Sequence, residues 1–75
     1  MSLETNLDFV QRALDHDQRL SLHYRDVKGK ETDRVVNPRK LEYVNGNPRL
    51  TAFCEQEGRL LRFRVDRMSK IKILD

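Results

Sequence analysis

The stretch "RLLRFRVDRM", residues 59–68, alternates Leu61, Phe63 and Val65 with Arg62 and Arg64. An apolar residue at every second position is the period of a half-buried strand, with one face on a core and the other in water. The wet face of a strand has no need of arginine, yet four of these ten residues are arginine. One stretch therefore raises both questions, how the chain folds and what its charge is for.

The same alternation continues on either side. A short link at Arg67–Ser69 leads to Lys70-Ile71-Lys72-Ile73, a fifth and last strand. In the other direction "EQEG" (55–58) turns back to a strand carrying Leu50, Ala52 and Cys54, which face one way. Asn45-Gly46 within "VNGNP" (44–48) is the strongest short hairpin signal a sequence offers. Thr32 to Tyr43 reads as extended, with Pro38 predicting an edge or a bend because proline donates nothing to a ladder. "DVKGK" (26–30) is a polar turn, and Leu20, Leu22 and Tyr24 mark the first strand. Ahead of it, Leu7, Val10, Ala13 and Leu14 recur at spacings of three and four, the stripe of a helix with one face inward. Thr5 or Asn6 is expected to cap that helix, and His16-Asp17-Gln18 to end it.

A helix followed by five short, consecutively linked strands predicts a mainly β fold, a small five-stranded Sm-like or SH3-like β-barrel plugged by its N-terminal helix. Seventy-five residues make one domain, expected over residues 4–75, with Met1-Ser2-Leu3 read as a candidate expression remnant without structural weight. No stretch approaches the length of a membrane-spanning helix, and no basic leader precedes an apolar run. A single cysteine and two histidines leave neither an intramolecular disulfide nor enough soft ligands for zinc, so no metal or cofactor is expected and the reducing cytoplasm is the expected setting.

Net charge is +3, but it is unevenly placed. Residues 59–72 hold six basic side chains against Asp66 alone, a net of +5, whereas the rest of the chain is acidic by two. Such a cationic third suits a polyanionic partner. Catalysis is not expected. Cys54 alternates with Leu50 and Ala52 and so points into the core, while His16 lies at a helix end and His23 on the polar face of a strand, with no constellation for general acid–base work.

From Ser21 to Met68 the chain resembles the WYL domain. The matching pieces are Leu22-x-Tyr24, Arg34-x-Val36-x-Pro38-x-x-Leu41, Leu50-x-Ala52-x-Cys54 and Phe63-Arg64-Val65-Asp66-Arg67-Met68. The Trp-Tyr-Leu triplet that names the family reads Pro48-Arg49-Leu50 here, and an arginine usual two residues before the phenylalanine is Leu61, with Arg62 beside it. The resemblance implies a sensing or regulatory module built on an Sm-like barrel. Such modules are attached to transcription regulators, helicases or CRISPR-associated proteins, and several bind single-stranded nucleic acid through a basic patch.

The candidate ligand residues are Tyr24, Arg34, Arg49, Arg62, Arg64 and Arg67. Guanidinium groups hold phosphate bidentately and stack on bases. Lys70 and Lys72 are expected to line the strand next to Arg62 and Arg64. Tyr24 is expected in the core with its hydroxyl within reach of a ligand, and Arg34 is weighed equally as a ligand contact or as the partner of a carboxylate such as Asp66. The expected partner is nucleic acid, single-stranded DNA before other kinds. The alternatives are a protein-interaction module that oligomerises through strand edges and a sensor of a small anionic ligand.

Overall fold

A computed structural model describes residues 2–74. Its first element is α1 (Leu3–Asp15), and the cap is Ser2, whose hydroxyl accepts a hydrogen bond of 3.2 Å from the Thr5 N–H. The helix thus begins earlier than expected, and Ser2 and Leu3 belong to it structurally. Asn6 lies inside the helix, not at its cap. Asp17 takes a left-handed φ of 52°, and the Gln18 N–H reaches back to the Ala13 carbonyl, which closes the C-terminal end.

Five strands follow: β1 (Arg19–Arg25), β2 (Glu31–Val44), β3 (Asn47–Cys54), β4 (Arg59–Arg64) and β5 (Met68–Leu74). All pairings are antiparallel, in the order β4-β3-β2-β1-β5. Asn45 and Gly46 form the two-residue β2–β3 loop with φ of 52° and 79°, the left-handed pair that an Asn-Gly hairpin requires. Strand β2 is shared by two partners. Its first part, to Val36, pairs with β1, and from Val36 onward it pairs with β3. Pro38 lies beyond the last β1 pair, next to a bulge at Arg39. This is the bend its ring predicts, in the middle strand of the sheet rather than at an edge.

A second bulge lies in β5, where Ser69 faces His23 and Lys72 faces Ser21, leaving Lys70 and Ile71 against one residue of β1. Lys70 takes φ 51° there, and Met68 and Ile71, three residues apart, both stay buried. The core also holds Val10, Ala13, Leu20, Leu22, Val36, Leu50, Ala52, Cys54, Phe63 and Val65. Cys54 is fully buried, as its alternation requires.

The expected closed barrel is not confirmed. Among the described residues no ladder joins β4 to β5, so the sheet is open with those two strands as its edges. The chain passes between them through a single 3-10 turn, Val65–Arg67, which takes three residues out of strand geometry where the edges approach. Side chains bridge the opening instead. The Tyr24 ring meets Phe63 edge to face at 5.1 Å, and its hydroxyl accepts a 3.0 Å hydrogen bond from the Arg64 N–H. Helix α1 packs against β5, β2, β1 and the 3-10 turn.

Candidate nucleic-acid interface

Alternation and register together assemble the basic face. On β3 the residues Pro48, Leu50, Ala52 and Cys54 are buried, which turns Arg49, Thr51 and Phe53 outward. On β4 the buried Phe63 turns Arg62 and Arg64 outward. The β3–β4 ladder then sets Arg49 directly opposite Arg64 and Thr51 opposite Arg62. Across β3, Glu42 of β2 stands opposite Arg49 and Lys40 opposite Thr51. Three guanidinium groups from two adjacent strands therefore share one outer face.

Like charges placed directly opposite on neighbouring strands destabilise a sheet. The local carboxylates relieve that at Arg64 and not at Arg49 or Arg62. Glu42 pairs with Lys40 at 3.4 Å, and among the described residues no carboxylate lies within ion-pair distance of Arg49 or Arg62. The Arg49 Nε is buried without a hydrogen-bond partner there, a cost that an entering oxygen acceptor would recover. Arg64 differs. Asp66 grips its fork with two hydrogen bonds, 3.1 Å from Nε and 2.8 Å from Nη2, and this contact holds the guanidinium pKa above its usual value.

The other expected site residues lie elsewhere. Arg34 sits on the inner face of β2. Its guanidinium lies 3.5 Å from Glu57 and donates to the Thr32 hydroxyl and to the Cys54 sulfur, so Glu57, and not Asp66, is its carboxylate partner. The Tyr24 hydroxyl is engaged with the Arg64 backbone. Arg67 donates to the Asp26 carbonyl at 3.3 Å, in an open cleft of about 490 Å³ between the β1–β2 turn and the start of β5. Lys70 and Lys72 do not flank β4, because β5 forms the opposite edge of the sheet.

One cluster was not visible beforehand. His23 on β1 stands between two carboxylates of β2, with Nδ1 2.8 Å from Asp33 and Nε2 2.8 Å from Glu31. Hydrogen bonding to Asp33 first, and to Glu31 next, raises its pKa, and the contact with His23 lowers that of Glu31. Ser69 is the cross-strand neighbour of His23 on β5. Both ring nitrogens already face carboxylates, so neither is free to take the Ser69 proton. No group of three or more His, Cys, Asp or Glu side chains among the described residues is arranged to hold a metal.

The family model for the WYL domain matches residues 5–73. The chain belongs to the WYL-domain family. The solved structure of the proteasome accessory factor B/C (PafBC) of Arthrobacter aurescens is similar to this WYL domain, with a TM-score of 0.87 over 95% of the chain at 21% identity. The WYL domain spans 11% of that longer chain, and at this identity the likeness speaks for the fold alone. No curated protein matches the sequence. In this WYL domain the stretch Pro48-Arg49-Leu50 divides by face: Pro48 and Leu50 are buried, and Arg49 joins the basic cluster.

Proposed function

We propose that this WYL domain is a non-catalytic regulatory module that binds nucleic acid, single-stranded DNA before other kinds, on the outer face of β3 and β4, as part of a cytoplasmic transcription regulator or helicase. The reading rests on the cross-strand pair of Arg49 and Arg64, with Arg62 on the same face. Asp66 already engages Arg64, but Arg49 and Arg62 have no carboxylate within ion-pair distance among the described residues, and that favours an external anion. Membership of the WYL family supports a regulatory role. Arg62 and Arg64 are two residues apart in a strand, so their side chains emerge about 7 Å apart, close to the phosphate spacing of an extended single strand.

Three phosphate contacts predict that log K falls with log salt at a slope of about −2. Fluorescence anisotropy with a labelled mixed-sequence single strand measures it. The double change Arg62→Ala/Arg64→Ala is expected to flatten that slope by about one unit or more and to leave the melting temperature nearly unchanged. If the parent shows no binding at low salt, or the double variant keeps the parental slope, the assignment of this face fails.

The open sheet supports one second reading, an interaction module that pairs copies through the free edges of β4 or β5. Sedimentation without nucleic acid separates the two, since only edge pairing produces a dimer whose formation ignores oligonucleotide.

A further inference from the structure

Phe53 and Leu60 face each other across the β3–β4 ladder, on the same outer face as the arginines and one row beyond Thr51 and Arg62. Neither serves the core. Phe53 is half-buried and is absent from the side chains packed against the buried cluster, and Leu60 is 56% exposed. A directly opposed pair brings two side chains within about 5 Å of each other, so the two form one apolar spot rather than scattered residues. Water contact at such a spot costs free energy that a covering group would recover. The neighbouring row is cationic, and successive rows on one strand face lie about 7 Å apart. A covering partner must therefore bring a flat apolar surface and negative charge at that separation.

A single-stranded nucleic acid carries both, because each base has a π-face and each linkage a phosphate. We infer that Phe53, floored by Leu60, is a base-stacking platform, and that a single strand crosses β3 and β4 with a base on Phe53 and its phosphates on Arg62, Arg49 and Arg64. This rests on the nucleic-acid reading of the same face and adds to it a site that holds a base by stacking, whatever its identity. The strand lies in one direction across the sheet, apolar end at the Cys54–Arg59 side and cationic end at the Arg49–Arg64 side.

The test compares two polyanions of equal charge, a mixed-sequence single-stranded oligonucleotide and inorganic polyphosphate, at one salt concentration. The parent is expected to favour the oligonucleotide. Phe53→Ala is expected to weaken oligonucleotide binding about tenfold, in the range of one lost base–aromatic stack, with polyphosphate binding and the salt slope unchanged. Phe53→Tyr is expected to restore it. Equal loss on both polyanions would mean that Phe53 merely shapes the face, and parental oligonucleotide affinity in Phe53→Ala would show that no base rests there. Either result overturns the platform while the arginine reading stands. A parent that binds neither polyanion overturns both.

Discussion

Asn6 illustrates how a single residue can hold distant parts of the chain. Its side-chain amide donates to the Val65 carbonyl at 3.0 Å and to the Met68 carbonyl at 2.9 Å, both across roughly sixty residues of sequence, and the side chain is 1% exposed. The Val65 carbonyl also accepts from the Met68 N–H, so it keeps one donor in Asn6→Ala. At about 0.5–1.5 kcal/mol net for each lost hydrogen bond, the variant is expected to lose about 1–3 kcal/mol in denaturant titration. A loss below about 0.5 kcal/mol would mean that solvent replaces the amide readily. Asparagine near a helix start reads as a cap, and nothing adjacent to it signals that its partners lie at the far end of the chain. Phe53 shows the opposite case. The alternation of Leu50, Ala52 and Cys54 already required it to point outward, yet a phenylalanine reads as core on composition alone. Arg62 and Arg64 were legible because strand period by itself decides their face. Their approach to Arg49 was not, because it depends on the β3–β4 register.

Among the elements, the β1–β2 ladder carries a pH-dependent contribution through the His23 clamp. Asp33 and Glu31 face the imidazole from β2, and the charges of Arg25 and Lys70 lie near enough to lower the Glu31 pKa. The folded His23 pKa is raised above the ordinary 6.5, so the clamp's stabilisation is complete below that pH and is lost as pH rises through the higher folded value. The folded Glu31 pKa is lowered below 4.5, so its share is present above that pH and is lost as pH falls through the lower folded value. The clamp is therefore strongest between about pH 4.5 and 6.5. The melting temperature is expected to fall modestly from pH 6 to pH 8.5, since both carboxylates are solvent-exposed and screened. His23→Gln should abolish that fall, and an equal fall in the variant would assign the effect to other groups. Strand count and order along the chain were readable from alternation and turn residues, and the Asn45-Gly46 hairpin was plain. The bulges at Arg39 and Lys70 were not, because an extra residue resets the alternation without leaving a compositional mark.

For the whole molecule, the open sheet makes Tyr24 and Phe63 the joint between its two ends. Phe63→Ala is expected to cost about 3–5 kcal/mol, the usual loss for a large buried ring, which is much of what a domain of this size has. Tyr24→Phe keeps the ring contact and leaves only the Arg64 N–H without its acceptor, for an expected loss of about 1 kcal/mol. Thermal melts of the two variants side by side check both values, and a Tyr24→Phe protein as stable as the parent would show that water satisfies that N–H. Barrel closure was expected from the order of elements with a short link at Arg67–Ser69. The residues that leave strand geometry are Val65–Arg67 instead, because Val65 continues the apolar alternation of Leu61 and Phe63 and so gives no sign of a turn. The pairing of β1 with β5, together with the tether from Asn6 to the 3-10 turn and β5, has a consequence for how the domain folds. Helix α1 and β1 also meet β2, which is near in sequence, whereas their contacts with β5 and the 3-10 turn close nearly the whole domain into a loop. Those contacts carry the greatest loop-closure entropy, so docking of β5 is expected to be the slow step of folding.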